Sequence, residues 1–247
     1  MSAEEIYAAM REKVDWLALG DHQVHGAVNF NSILENLPLQ RNYAVLDFGC
    51  GIGRTSVYLA DFFNEGGSIV GSDIVPGWIQ FCQEQFAHSF PNATFYCLRA
   101  NHPHYGDAIK ETMGATPVMD EEDFFKRHRA SFDMVVAFSV FTHFDPTMAA
   151  HYLNLLRSAT KRSGHLFLTW FLDHPGNPAD SRLGPKENFR DRDGNLRFAI
   201  FSLAGLADLA SNAGLMIERI SYGFWRSWPS SALKGQHGQD IVILRPD

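Results

Sequence analysis

Two carboxylates bracket a glycine run near residue 50. The stretch "VLDFGCGIGRT", residues 45–55, places Asp47 at the end of an apolar run and follows it with Gly49, Gly51 and Gly53, spaced two apart. Glycines in such a turn let backbone approach a bound molecule and open angles closed to other residues. A dinucleotide fingerprint wants a third glycine three positions after the second, where Arg54 stands; counted from Gly51, the position falls on Ser56. Asp47 is a second objection to a phosphate ligand, because a carboxylate repels a pyrophosphate and suits a ligand carrying an ammonium and a sulfonium. Asp73 closes "VGSDI" 20 residues after Gly53, where a carboxylate accepts from both hydroxyls of a ribose. An adenosine with a cationic amino-acid tail satisfies both acids. Blander roles stand beside these: Asp47 tying down the turn through backbone N–H groups, and Asp73 capping a helix.

Strand ends must carry these residues, and the chain alternates short apolar runs with amphipathic stretches. "YAVLDF" reads as a buried strand and "TSVYLADFFNEGG" as a helix with a double-glycine stop. "SIVGSDI" is strand, "PGWIQFCQEQFAHSF" a helix ended by Pro91, and "ATFYCL" strand. "DEEDFFKRHR" is a helix with a solvated acidic start, and "FDMVVAFSVF" is the most strand-like run of all. Asp145 and Pro146 supply an N-cap and first residue for a helix that Gly164 is expected to stop. "HLFLTWFL" is a fifth strand, residues 174–198 a long irregular loop, "SLAGLADLASNAG" a helix, and "LMIERISY" and "DIVILRP" the closing segments. The pattern predicts a doubly wound, Rossmann-like α/β fold with ligands beyond the carboxyl ends of its strands. It is read as one domain over 1–247, with residues 1–40 a helical cap on a core of 41–247. The mixture of His, Asn and aromatic residues in "LGDHQVHGAVNFNSIL" suits a lid over the ligand.

Composition narrows the partners. The 247-residue chain has 21 Lys and Arg against 28 Asp and Glu, a formal charge of −7, with no basic run, which argues against nucleic acid and anionic membrane. No segment has the length of a membrane span, and the N-terminus lacks the basic-then-apolar order of a signal peptide, so a cytoplasmic protein is expected. Cys50, Cys82 and Cys97 form no close sequence pair of the zinc or redox kind. His102 and His104 stand two apart without a third ligand at a suggestive distance, so no metal centre is expected.

Taken together, "VLDFGCGIGR", "GSDIVPGWIQFC", "FDMVVAFSVFTHF" and "HLFLTWFLD" resemble the first, second-strand, fourth-strand and fifth-strand motifs of class I S-adenosylmethionine-dependent methyltransferases, over about residues 41–247. "SVFTH", "GFW" and "GQDIVILRP" are similar to a bacterial subgroup whose members often occur beside sugar-transferring enzymes. The resemblance implies a seven-stranded sheet, mostly parallel with its last strand antiparallel. It also implies S-adenosyl-L-methionine as cofactor. Carried over by position, Asp47, Gly49, Cys50, Gly51, Gly53 and Arg54 make the first-motif turn around the methionine part, and Asp73 takes the ribose. Ile74 and Trp78 sit beside the adenosine, and Phe138 and Ser139, at the end of the fourth strand, line the far side of the cofactor. Members commonly carry an acid after the third strand for the adenine amino group; this chain reads "CLRANHPHYG" there, with Asn101 the substitute.

The implied reaction is methyl transfer to a small-molecule acceptor, read as a hydroxyl of a sugar or secondary metabolite. A nicotinamide-dependent oxidoreductase and a non-catalytic adenosyl-ligand binding module are the alternatives. His143, in "SVFTHF" at the sheet's carboxyl edge, is the candidate general base, since imidazole with an ordinary pKa of about 6.5 accepts a hydroxyl proton at neutral pH. The same histidine recurs in the family whatever the acceptor, which suggests bracing the turn as its other role. His174 and His237 are the reserves. Trp225 and Trp228 read as packing of the closing hairpin or as a stacking surface for a planar acceptor, and "GQD" at 238–240 as the anchor of the final strand.

Overall fold

The computed structural model describes residues 2–13, 22–86, 89–99, 116–173, 189–190, 196–223, 225 and 237–247. Its contacts divide the chain into two units, Met1–Phe124 and Phe125–Asp247.

The first unit begins with two helices, α1 (Ala3–Lys13) and α2 (His22–Asn36). Strand β1 (Ala44–Phe48) then leads through the glycine turn into α3 (Ser56–Phe62). Strand β2 (Ser68–Asp73), α4 (Pro76–Phe86), β3 (Ala93–Arg99), the short β4 (Val118–Asp120) and α5 (Glu121–Arg127), which runs across the division, follow. The strands lie in the order β1-β2-β3-β4, all parallel. Val45, Leu46, Ile69, Phe95 and Leu98 are buried, as strands covered on both faces require. Phe86 of α4 meets Phe95 of β3 edge to face, with ring centroids 4.7 Å apart.

The second unit holds β5 (Phe132–Ala137), a 3₁₀ turn at Phe141–His143, α6 (Pro146–Ala159) and β6 (Thr160–Trp170). Asp145 caps α6 as the sequence predicts, its Oδ1 accepting from Met148 N–H at 2.8 Å. The minor strands β7 (Leu172–Asp173) and β10 (Phe201–Ser202) pair in parallel, and β8 (Phe189–Arg190) and β9 (Leu196–Phe198) pair antiparallel. Helix α7 (Leu203–Asn212), β11 (Leu215–Ser221) and β12 (Asp240–Pro246) close the chain. Strand β5 runs parallel to β6, whereas β12 is antiparallel to both β6 and β11, giving the order β11-β12-β6-β5.

Three expectations are corrected. Among the described residues the main strands number eight, four in each unit, and not seven; Val118–Asp120, beside β3, is too short to stand out in sequence. The helix after Asp145 ends at Ala159, five residues before the predicted stop at Gly164. Thr160 turns the chain extended while its hydroxyl donates to the Leu156 carbonyl at 2.7 Å. Gly164 lies inside β6, where a Cβ would come within 2.8 Å of the Asp133 carbonyl oxygen, so its smallness serves a close strand approach. The 174–198 stretch is also not wholly irregular, since it carries the β8–β9 pair. Among the described residues no helix is long and apolar enough to cross a membrane.

Candidate functional site

In the first unit the glycine turn is built on the end of β2. Gly49 and Cys50 both donate their N–H groups to the Ser72 carbonyl, at 2.8 and 3.0 Å. Gly49, Gly51 and Gly53 all have positive φ, at 72°, 57° and 83°. At Gly53 a Cβ would meet the Phe86 ring at 2.9 Å, whereas at Gly51 nothing lies within 4 Å of where a Cβ would be. Gly51 is therefore the point where the turn presents bare backbone to open space.

The two acids divide the work of this turn. Asp47, buried at the end of β1, accepts from Ser56 Oγ at 2.5 Å, at the first residue of α3. Burial pushes its carboxyl up to about 6, the Ser56 hydrogen bond opposing and the charge of Asp73 adding to the rise. Asp73 takes the Gly51 N–H on one carboxylate oxygen at 2.8 Å and the Val75 N–H on the other at 3.0 Å. Its carboxyl is also raised by burial, against these backbone bonds and one from Ile74. Bracing of the turn thus falls to Asp73, while Asp47 is held by a side chain. A carboxylate offers about four lone-pair sites, so the three backbone bonds still leave Asp73 acceptor capacity for a further hydroxyl.

Around the acids, Cys50 and Cys82 each place Sγ 3.6 Å from the Gly51 carbonyl oxygen. Burial holds the Cys50 thiol well above its ordinary range, which disfavours the thiolate form. Ile74 and Trp78 are half-buried, Trp78 in the first turn of α4, where its N–H donates to Val75 O at 3.1 Å. The Arg54 carbonyl and the Thr55 side chain are bound by α1 and α2, through Tyr7 and Asn29.

In the second unit, Phe138 and Ser139 follow β5. Ser139 adopts φ 58°, a conformation that costs a non-glycine residue energy and is held here by its neighbours. Its N–H donates to Thr169 Oγ1 at 2.7 Å and its hydroxyl to Gln239 Oε1 at 3.1 Å. The Phe138 ring lies 5.7 Å from that of His237, whose Nδ1 bonds the Gln239 backbone at 3.1 Å. His143 ends the 3₁₀ turn, with Nδ1 2.6 Å from the Arg197 carbonyl oxygen and its ring 5.4 Å from Phe198. A carbonyl only accepts, so Nδ1 carries the proton and the lone pair of the neutral ring is at Nε2. Burial lowers the His143 pKa, against the Arg197 bond.

Sequence reasoning missed several residues that shape these elements. Ser56, Tyr7, Gly26 and Asn29 carry no motif, although a glycine inside a helix is itself a sign of close packing. Asp240, fully buried, accepts from Leu172 N–H at 2.7 Å, Gly223 N–H at 2.8 Å and Trp225 Nε1 at 2.7 Å. This fits the anchoring role read for "GQD" and gives Trp225 the packing role. Asn101, His102, His104, His174 and Trp228 lie outside the described residues. Among the described residues no three His, Cys, Asp or Glu side chains cluster to hold a metal.

The family model for a methyltransferase domain matches residues 21–220. The chain belongs to the methyltransferase domain family. It is an S-adenosylmethionine-dependent methyltransferase, with S-adenosylmethionine as its cofactor. Its fold is similar to that of a Pyrococcus horikoshii OT3 protein at TM-score 0.62 and 17% identity, covering 98% of this chain and 99% of that one. The magnesium protoporphyrin IX methyltransferase of Synechocystis PCC 6803, crystallised with S-adenosylmethionine, aligns at TM-score 0.51 and 19% identity over 92% of this chain and 80% of its own. Mitomycin 7-O-methyltransferase aligns at TM-score 0.57 and 15% identity over 100% of this chain and 61% of its own.

The residues of the first unit fit the cofactor. Open space over Gly51 admits a ligand against bare backbone. Asp47, desolvated yet mostly ionised at neutral pH with its carboxyl at about 6, is stabilised by a cationic neighbour.

Proposed function

We propose that this methyltransferase acts on a hydroxyl oxygen of a small molecule, a sugar or a secondary metabolite. The observation that carries the cofactor end of this reading is the pairing of Asp47 and Asp73 on one glycine turn, with Gly51 open between them. Gly49, Cys50, Gly51, Gly53 and Arg54 with Asp47 hold the methionine part, and Asp73 holds the ribose. Ile74 and Trp78 flank the adenosine, and Phe138 and Ser139 are read on the far side of the cofactor. The small-molecule acceptor is favoured by the acidic balance, −7 overall, and oxygen by likeness to a 7-O-methyltransferase. The subgroup resemblance of "SVFTH" and "GQD" favours a sugar. Family membership removes the nicotinamide reading.

When bound, S-adenosylmethionine supplies a methyl group made electrophilic by its sulfonium. The protein's main task is then alignment, because an in-line displacement needs the acceptor oxygen held at the methyl carbon. His143 is the proposed base: the Arg197 carbonyl fixes Nδ1 as the protonated nitrogen, and the lowered pKa keeps the ring neutral at neutral pH. Nε2 takes the hydroxyl proton as the oxygen–carbon bond forms. Single-turnover transfer by His143→Gln is the test, with affinity for S-adenosylhomocysteine measured in parallel. A base predicts a rate lower by roughly a hundredfold or more with binding intact; a near-normal rate assigns His143 to bracing the turn alone. Wild-type protein that binds S-adenosylhomocysteine yet transfers no labelled methyl would instead favour the binding-module reading.

A further inference from the structure

Residues 1–40 read as a helical cap in sequence, and α1 and α2 within it are fastened to the glycine turn itself. Tyr7 of α1, 1% exposed, donates its hydroxyl to the Arg54 carbonyl at 2.8 Å. Asn29 of α2, 5% exposed, donates Nδ2–H to Thr55 Oγ1 at 2.8 Å. Between them, Gly26 brings α2 against the turn so closely that a Cβ would lie 2.2 Å from the Arg54 carbonyl oxygen and 3.0 Å from Tyr7 Oη. Phe30 stacks on Tyr58 of α3 at 5.9 Å, and Tyr58 donates to the Gln23 carbonyl at 3.3 Å, which fixes α2 along α3.

What the clasp holds is the join between turn and helix. Thr55 is the N-cap residue of α3, and its own side chain caps no N–H group; it accepts from Asn29 instead. The next residue, Ser56, is the donor to Asp47. A shift at Arg54–Thr55 therefore moves the hydroxyl on which Asp47 depends, and a packed interior passes such a shift on. We propose that Tyr7, Gly26 and Asn29 are positioning residues of the cofactor site, which by clasping Arg54 and Thr55 hold Ser56 on Asp47 and so set affinity for S-adenosyl compounds. This rests on the assignment of the Asp47 turn to the cofactor.

The test is calorimetric titration with S-adenosylhomocysteine from pH 5 to 8, using the full chain and the variants Tyr7→Phe, Asn29→Leu, Thr55→Val and Thr55→Ser. Tyr7→Phe and Thr55→Val each remove one hydroxyl at nearly constant volume, so they decide the matter if Asn29→Leu does not fold. Loss of one buried hydrogen bond at the clasp is expected to weaken binding roughly five- to tenfold, with Thr55→Ser within about twofold of wild type. The acid midpoint of binding should also move to higher pH in the weakened variants, because Asp47 loses the Ser56 bond that favours its charged form. A merely structural contact lowers the thermal midpoint without moving that pH midpoint. Wild-type affinity and pH midpoint in Thr55→Val and Tyr7→Phe overturn the proposal, as does a Thr55→Ser as weak as Thr55→Val. Wild-type protein that binds no S-adenosylhomocysteine overturns the cofactor assignment, and the proposal with it.

Discussion

Replacing Asp47 with Asn should make the empty protein more stable and the cofactor weaker. The side chain is 2% exposed and its carboxyl is raised from 3.8 to about 6. A rise of about two units means that charging Asp47 costs ~3 kcal/mol more in the folded than in the unfolded chain. Asn keeps an acceptor for Ser56 Oγ and removes only the charge. Allowing ~1 kcal/mol for the weaker neutral hydrogen bond, the variant gains ~2 kcal/mol at pH 7.5. The direction with pH follows from the raised value. Between about 4 and 6 the folded state holds a proton that the unfolded state has released, so this stability is present at low pH and lost as pH rises through about 6. Urea unfolding of both proteins without ligand at pH 4.5 and 7.5 isolates it: the variant's advantage is expected at 7.5 and mostly absent at 4.5. Binding moves the other way, since a charge-assisted contact to a cation is worth ~1.5–3 kcal/mol, about a ten- to 150-fold loss in affinity. A variant less stable than wild type at pH 7.5, or a difference that ignores pH, refutes the reasoning.

Other outcomes follow from the same geometry. Gly51→Ala should still fold, at a cost of ~1–2 kcal/mol for a side chain at φ 57°, while losing S-adenosylhomocysteine binding, as read by thermal shift with and without ligand. Asp73→Ala, which frees the Gly51 and Val75 N–H groups, should weaken that ligand by ~1.5–3 kcal/mol in calorimetry; unchanged affinity in a folded variant removes the ribose assignment. Asp240→Ala strands three donors around a fully buried position and should lower unfolding free energy by ~3 kcal/mol or more in urea titration.

The legible parts of this protein are those whose cause is local. Asp47, the glycines and Asp73 lie within one strand–turn–helix–strand segment, and Asp145 with Pro146 specifies a helix start whatever surrounds it. Gly164 was misleading because a glycine after a helix reads as a stop, and only the neighbouring Asp133 carbonyl shows that it serves strand approach. The φ of Ser139 is set by Thr169 and Gln239, 30 and 100 residues away. The clasp on Arg54 and Thr55 joins residues 47 and 26 apart, and Tyr7 and Asn29 carry no pattern that announces such partners.

The central claim, methyl transfer to oxygen of a small molecule, is most directly tested with S-adenosylmethionine carrying a carbon-13 methyl group. The enzyme is incubated with a panel of hydroxylated sugars and aromatic metabolites, and products are resolved by mass spectrometry and proton–carbon correlation. The account predicts a labelled methyl bonded to oxygen in a small-molecule product, with S-adenosylhomocysteine released in equal amount. Label bonded to nitrogen or carbon in the product would contradict it, as would wild-type protein that binds S-adenosylhomocysteine yet moves no label to any hydroxylated acceptor.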